Sequence, residues 1–134
     1  MADKIDFELV APEKLIISDQ FSMVVIPGSD GDFGVLPHHS PLISTVRAGV
    51  IDVYQAESIE KRLFVSGGFA EVSKNRCTVL ADEVISLADA DIEAANARLA
   101  EAQDALEKAA DEAARDTAER ELEIARSLIS ALSD

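Results

Sequence analysis

The sequence has no tryptophan and only six other aromatic residues among 134 positions, which is few for a chain with an ordinary core. It has one cysteine, Cys77, so neither an internal disulfide nor a cysteine-based metal site can form. We expect Cys77 to pack as a small apolar side chain. Basic residues are scarce as well: 12 Lys and Arg stand against 26 Asp and Glu, a net charge of −14. This charge argues against binding to nucleic acid or direct insertion into anionic lipid, which both need clustered basic residues.

Long hydrophobic runs are also missing. No stretch approaches the roughly 18 apolar residues that a membrane-spanning helix needs. The N-terminus alternates charged and apolar residues, so we predict no signal peptide and no membrane anchor. The length of 134 residues suits one domain, or one domain with a small appendage.

Glycine, proline and aromatic residues are absent from the C-terminal part of the chain, since all of them lie at or before Phe69. From residue 88 onward, 15 of 47 residues are alanine, and 5 basic residues stand against 13 acidic ones. That region carries 5 − 13 = −8 of the net charge and leaves −6 for the rest. We therefore predict two domains, residues 1–87 and 88–134.

The first domain has the pattern of short strands. Ile5, Phe7 and Leu9 alternate with charged residues, and similar alternation occurs at residues 51–53 and 62–65, as expected of half-buried strands. Turn signals containing Gly, Pro or Asn separate these runs at intervals of roughly 8–12 residues. This spacing predicts an antiparallel β-sandwich of about nine to ten strands.

The second domain has helical periodicity. Ile92, Leu99 and Leu106 recur every seven residues, and a second apolar stripe begins at Ala118, which predicts two amphipathic helices in an antiparallel hairpin. Together with the sandwich, this is an α+β fold. We expect the first helix to begin near Asp89 and the turn to fall between Glu107 and Thr117, where a capping-box-like segment, 116–119 (DTAE), offers a restart for the second helix. No Gly or Pro marks the turn, so one long continuous helix, or interconversion of the two arrangements, stays open as an alternative.

No segment carries a recognisable catalytic, metal or cofactor site. The glycine-rich segment 28–34 has no lysine and two carboxylates, which is the wrong charge for a phosphate loop. The calcium-loop spacing is absent there too. His38 and His39 have no third ligand nearby, and Ser66 does not stand in a nucleophile elbow. We predict a tight turn that presents Asp30 and Asp32, and a loop or contact role for the histidines.

Two ordered motifs resemble a known family. They are 25–42 (VIPGSDGDFGVLPHHSPL) and 63–72 (LFVSGGFAEV), the second followed by 77–82 (CTVLAD). Both are similar to signature segments of the epsilon subunits of bacterial-type F-type ATP synthases. That family also carries an alanine-rich helical hairpin after its sandwich, so the resemblance covers nearly the whole chain.

The resemblance implies a non-catalytic rotor subunit in the central stalk of a proton-translocating ATP synthase. Its expected partners are the gamma subunit and the c ring, so that proton flow is coupled to ATP synthesis. Its expected place is peripheral, on the cytoplasmic face of the cell inner membrane. The expected partner contacts are Asp30 and Asp32 towards the c ring, His39 towards gamma, and Ser66. Gly67 and Gly68, which follow Ser66, are expected to serve a tight strand connection.

The resemblance also implies a regulatory role for the helices. In many relatives the hairpin extends along gamma towards the alpha and beta subunits and blocks ATP hydrolysis. Some relatives bind ATP through a motif of the form Ile/Leu-Asp-x-x-Arg-Ala. The matching positions here are Ile92, Glu93, Asn96 and Ala97. Because Asn96 replaces an arginine that could grip phosphate with two hydrogen bonds, we expect no cofactor.

Two other functions stay open from the residues alone. A nucleotide-sensing regulator requires saturable ATP binding by the isolated chain. A stand-alone enzyme requires turnover by the purified chain without partners. The second helix has few bases, with Arg120 and Arg126 alone after Ala118, so electrostatic docking on an acidic catalytic head is expected to be weak.

Overall fold

The structure is a computed structural model that describes residues 3–12 and 14–133. The chain forms two compact units, one ending at Ser86 and the other beginning at Leu87. The first unit consists of strands and the second of two helices.

The β unit has ten strands within the described residues. They are β1 (Ile5–Ala11), β2 (Lys14–Phe21), β3 (Met23–Gly28), β4 (Gly31–Val35), β5 (Leu42–Val46), β6 (Gly49–Gln55), β7 (Ser58–Val65), β8 (Gly68–Val72), β9 (Arg76–Ala81) and β10 (Val84–Ser86). They pair in the order β10-β7-β6-β3-β5-β8-β9-β1-β2, with β4 on the side of β3.

The predicted fold class is confirmed, with one refinement in the strand pairing. Every pair is antiparallel except β1 with β9, which run parallel and align Asp6 with Arg76 and Val10 with Leu80. The period of a strand shows which residues share a face but not the direction of its neighbour. A parallel pair inside a mostly antiparallel sheet is therefore invisible to alternation alone.

The core lies inside the curled sheet and follows the predicted alternation in most strands. Ile5, Phe7 and Leu9 are all fully buried, as are Ile51 and Val53. The rings of Phe7 and Phe21 pack edge to face, with centroids 6.2 Å apart, a preferred aromatic geometry.

Alternation does not hold near the end of β7. Leu63, Phe64 and Val65 are all buried, so the prediction of a half-buried strand over residues 62–65 is wrong there. Leu63 and Val65 belong to the sandwich core, whereas Phe64 lies outside that cluster. Successive residues of a strand point to opposite faces, so this part of β7 is covered on both faces.

The helices are α1 (Ile92–Glu107) and α2 (Glu112–Ser133), joined by residues 108–111. The predicted two-helix hairpin is thus confirmed, and the single continuous helix is not present. Asp91 caps α1 by accepting the backbone N–H of Glu93 at 3.0 Å, two residues after the predicted start near Asp89. A side-chain oxygen at this position satisfies one of the amides that the first helical turn leaves without a partner.

The predicted restart of the second helix at Asp116 is wrong. The α2 helix already begins at Glu112, because Asp111 accepts the backbone N–H of Ala114 at 2.7 Å. Thr117 lies inside the helix, and its hydroxyl donates to the Ala113 carbonyl at 3.0 Å. Many Asp residues can cap a helix, so the capping-box-like pattern at Asp116 does not by itself locate the start of α2.

The face between the helices combines small side chains from α1 with both small and large ones from α2. The buried positions of α1 are Ala95 and Ala102, and those of α2 include Ala118, Leu122 and Ala125. An ion pair between Arg98 and Glu121, 3.3 Å apart, joins the two helices at the edge of this face.

Candidate partner-binding surfaces

The acidic turn between β3 and β4 is a tight hairpin with its carboxylates in solvent. Asp30 and Asp32 are both exposed. A Cβ on Gly28 would lie 2.9 Å from the Phe33 ring, and Gly31 has φ +134°, a conformation that favours glycine. The two glycines therefore allow the turn to close while its acids point outward, as the sequence predicted.

Arg47, the residue directly after β5, holds this turn. Its guanidinium donates through Nη1 to the Gly28 carbonyl and through Nη2 to Asp32 Oδ1, both at 2.6 Å. Its backbone N–H donates to the Pro27 carbonyl at 2.9 Å. Arg47 lies 15 residues from Asp32 in sequence, so sequence motifs around the turn did not reveal this contact.

Ser66 lies at the same end of the sheet as the acidic turn. Pairing runs from Gly28 to Val46, then to Gly68 and finally to Ala81, so the connection between β7 and β8 follows in the same row. The Ser66 N–H donates to the Glu83 carbonyl at 3.1 Å. This end of the sheet, with the acidic turn, Ser66 and the connection between β9 and β10, is called the acidic end below.

The connection beside Ser66 is closely packed, which explains its two glycines. Gly67 and Gly68 have φ of +135° and +147°. A Cβ on Gly68 would collide with the Leu80 carbonyl oxygen. The connection therefore requires glycine for both conformation and space, in agreement with the expected tight strand connection.

His39 lies at the opposite end. Strand β5 pairs Val46 with Gly68 at the acidic end and Leu42 with Val72 at the other, and the histidine loop precedes Leu42. His39 is half-buried, and its Nδ1 lies 2.6 Å from the Ser40 carbonyl. The structure therefore brings Asp30, Asp32 and Ser66 together and keeps His39 apart from them.

The neighbouring His38 joins three segments of that opposite end. Its Nε2 lies 2.6 Å from the Asp3 carboxylate, and its backbone N–H donates to the Lys74 carbonyl at 2.7 Å. His38 adopts φ +67°, which is uncommon for a residue with a Cβ. The sequence motif drew attention to His39, but the contacts that fix this loop are made by His38.

One surface was missed by sequence reasoning: an apolar row on the outer face of the sheet. Leu15, Phe69 and Leu80 have exposed fractions of 56%, 59% and 56%. Residues paired across strands share a face, and the pairings place these side chains side by side on the outer face with half-buried Val10 between two of them, in the order Phe69, Leu80, Val10, Leu15. We call these four residues the apolar row.

The apolar row lies next to the acidic end and is bordered by acids. Phe69 directly follows Gly68, and Leu80 directly precedes Ala81. Gly68 and Ala81 form the pairing of β8 with β9 that lies at the acidic end. On the other side, the next pairing on the same face joins Glu71 to Thr78. An exposed row of large apolar side chains is typical of a surface that another protein covers.

The degenerate motif of α1 lies on an exposed part of that helix. Ile92 is 42% exposed, and Glu93, Asn96 and Ala97 are exposed as well. Arg98 follows Asn96 by two positions, and its guanidinium contacts Glu121 of α2. Neutral Asn96 cannot supply the charge-assisted pair of hydrogen bonds that phosphate recognition by arginine uses.

Buried and titratable groups give little sign of chemistry. Burial raises the pKa of the Cys77 thiol from its usual 9.0 to about 12, so the thiol is protonated and unreactive at neutral pH. Across residues 3–12 and 14–133, no group of three His, Cys, Asp or Glu side chains is arranged to hold a metal ion. Among the described residues, neither helix combines the length and the apolar character of a membrane-spanning segment.

Comparison with known families gives the context for these surfaces. The family described as "ATP synthase, Delta/Epsilon chain, beta-sandwich domain" matches residues 4–87. The ATP synthase epsilon chain of Rhodospirillum rubrum is 51% identical over 131 residues, which are 98% of both chains. The chain belongs to the epsilon-chain family of ATP synthases. The resemblance found in the sequence is thereby confirmed, and the chain is a non-catalytic stalk subunit of an ATP synthase.

Further relatives of the epsilon-chain family agree over most of the length. The epsilon chain of Paramagnetospirillum magneticum is 50% identical over 109 residues, 81% of this chain and 82% of that one. A chain in the cryo-EM structure of Euglena gracilis mitochondrial ATP synthase, which contains OSCP, F1 and the c-ring, superimposes with a TM-score of 0.83 at 27% identity. That match covers 96% of this chain and 81% of the other, so it includes both β and helical regions.

Proposed function

We propose that this epsilon chain links the gamma subunit to the c ring in the central stalk of a proton-translocating F-type ATP synthase, and so couples proton flow to ATP synthesis. Its place would be peripheral, on the cytoplasmic face of the cell inner membrane. The family membership supports the complex, and the solved relative was determined together with F1 and the c-ring. The two partners are inferred from the surfaces of the β unit.

One observation carries this proposal: two chemically different surfaces lie side by side on one sheet. At the acidic end, the exposed carboxylates of Asp30 and Asp32 suit a basic or amide-rich loop. The apolar row, beginning with Phe69 and Leu80, suits a larger and drier contact. We assign the acidic end to the c ring and the apolar row to gamma. A sheet with a continuous core under both surfaces can pass force from one to the other.

The c-ring contact can be tested by removing charge at the acidic end. We expect the Asp30→Asn, Asp32→Asn double variant to bind purified c rings at least about fivefold more weakly, since charge-assisted contacts are lost. Its binding to gamma should stay unchanged. Glu57→Gln, on the exposed turn after β6, is the matched control. Equal binding of all three proteins to c rings would contradict the assignment.

The gamma contact can be tested on the apolar row. We expect Phe69→Ser with Leu80→Ser to abolish co-purification with gamma, because large apolar side chains at the centre of an interface contribute most of its affinity. Ile59→Ser is the control, since Ile59 is 44% exposed on β7, away from the row. Retained co-purification by the double variant would assign gamma to another surface. His39→Ala tests in the same assay whether the opposite end of the sheet contributes.

We propose a second role for the helical unit, which is inhibition of ATP hydrolysis through contacts with the alpha and beta subunits. The supporting observation is that α1 packs through Ala95 and Ala102, small side chains that give up little contact when helices separate. Such packing suits an element with two arrangements.

This role is tested by a chain that ends at Leu87, which also tests residues 1–87 and 88–134 as the two domains. Hydrolysis by the catalytic head should be faster with the shortened chain than with the full chain. Binding of the shortened chain to gamma confirms that its β domain is folded. Equal hydrolysis rates would reject inhibition by the helices.

A further inference from the structure

Arg47 contacts the acidic turn on both of its strands. The two terminal nitrogens of its guanidinium reach Gly28 at the end of β3 and Asp32 in β4, each at 2.6 Å. Because a guanidinium is planar and rigid, two simultaneous hydrogen bonds fix the direction of both acceptors. One oxygen of the Asp32 carboxylate is therefore held in place by an intramolecular hydrogen bond.

The ion pair between Arg47 and Asp32 is too exposed to stabilise the fold by much. The side chains of Arg47 and Asp32 are 45% and 60% exposed, and exposed pairs of this kind contribute little to stability. The exposure of Asp32 also leaves its carboxylate accessible to a second donor from solvent or from a partner. Asp30, by contrast, has no side-chain partner among the described residues, so the two acids of the turn are held differently.

We propose that Arg47 is the positioning residue of the turn that meets the c ring. It orders the Asp32 carboxylate before binding, so that a basic or amide-rich partner loop meets an acceptor of fixed direction. Preorganisation of this kind lowers the entropy that must be lost on association. The inference rests on the proposed contact between the acidic end and the c ring, and it deepens that contact by naming how one of its acids is oriented.

The sign of one substitution separates positioning from simple charge attraction. Arg47→Met removes a positive charge from an acidic surface, so Coulomb attraction alone predicts tighter binding to a basic loop. Positioning predicts weaker binding. We expect the full-length Arg47→Met chain to bind purified, detergent-solubilised c rings about tenfold more weakly, the loss of one ordered charge-assisted contact. Arg47→Lys, which keeps the charge without the rigid fork, should be intermediate.

The matched control is Arg62→Met. The side chain of Arg62 is 40% exposed and pairs with Asp52 at 2.8 Å, so this variant removes the same charge from another part of the sheet. Its c-ring binding should equal that of the unsubstituted chain. Binding by Arg47→Met that is equal or tighter, while the unsubstituted chain binds, overturns the inference and leaves the proposed function standing. Absence of binding by the unsubstituted chain overturns the proposed contact and the inference with it.

A double-variant cycle shows whether Arg47 acts through Asp32. In an Asp32→Asn background, the further change Arg47→Met should alter c-ring binding by less than about twofold, because residues that act through one another are not additive. An undiminished loss in that background would mean that Arg47 acts only by holding the Gly28 carbonyl, and the positioning role would be rejected. Hydrogen exchange of the Gly31 and Asp32 amides in the free chain should accelerate in Arg47→Met, independently of any partner.

Discussion

The β unit and the helical unit are held together by different kinds of side chain. The sandwich core contains Phe7, Phe21 and a set of fully buried Ile, Leu and Val residues. In the hairpin, α1 presents Ala95 and Ala102, and α2 adds Leu122 and Leu128 to its own alanines. Apolar stabilisation grows with the area buried, so each buried position of α1 contributes less than a typical core position of the sandwich.

One short chain thus combines a unit with a core of large side chains and a unit whose first helix buries only small ones. Locally weak elements are those that open first in native proteins, so we expect the helical unit to open before the β unit. The scarcity of aromatics that marks the whole sequence is in fact confined to the helical region.

The sandwich should be sensitive to the loss of a large core side chain. We expect Phe7→Ala to lower the free energy of unfolding by about 3–5 kcal/mol, through lost burial and a residual cavity. Phe69→Ala, on the exposed apolar row, should change it by less than about 0.5 kcal/mol. Urea unfolding followed by fluorescence of Tyr54, the single tyrosine in a chain without tryptophan, measures both. Similar losses for the two variants would contradict the assigned core.

A second prediction uses the titration of Cys77, which is a residue of the sandwich core. Its folded pKa, raised to about 12 from the usual 9.0, lies above the unfolded one, so its contribution to stability is complete below pH 9 and is lost as the pH rises towards 12. From pH 7 to pH 10 we expect the free energy of unfolding of the natural chain, measured relative to that of Cys77→Ala, to fall by about 1.4 kcal/mol. A constant difference would mean that the thiol ionises in the folded state.

The smallest expected effect is in the hairpin. Asp111→Ala removes the cap of α2 and should destabilise that helix by about 1 kcal/mol, whereas Asp116→Ala, at the cap position suggested by the sequence, should have little effect. Circular dichroism at 222 nm, to which the helices contribute most, follows this transition on heating. A larger effect for Asp116→Ala would restore the later helix start.

The sequence predicted most of the fold because its two periodicities are local. Alternation identified Ile5, Phe7 and Leu9 as one buried face, and the recurrence of apolar residues every seven positions identified α1. The failures have physical reasons. Phe64 is buried on a face that strand alternation assigns to solvent, and α2 begins after Asp111 rather than at the capping-box-like segment that starts with Asp116.

The candidate surfaces were predictable only in part, because they combine local motifs with distant pairings. Asp30 and Asp32 stand in one motif and lie together, as expected. The apolar row draws on β1, β2, β8 and β9, so no window of sequence contains it. Arg47 follows β5 and is likewise distant from Asp32 in sequence. A turn can be recognised from its own sequence motif. The residues that support it from elsewhere in the chain can be found only when the order of the strands in the sheet is known.

The parallel pairing of β1 with β9 has a consequence for synthesis on the ribosome. Asp6 must wait for Arg76, 70 positions later, before β1 has both of its neighbours, whereas the hairpin brings together residues that are close in sequence. Contacts between distant residues form slowly and leave apolar surface exposed meanwhile. The first strand to emerge is therefore among the last to be enclosed, and its apolar residues need protection until almost the whole β unit has left the exit tunnel.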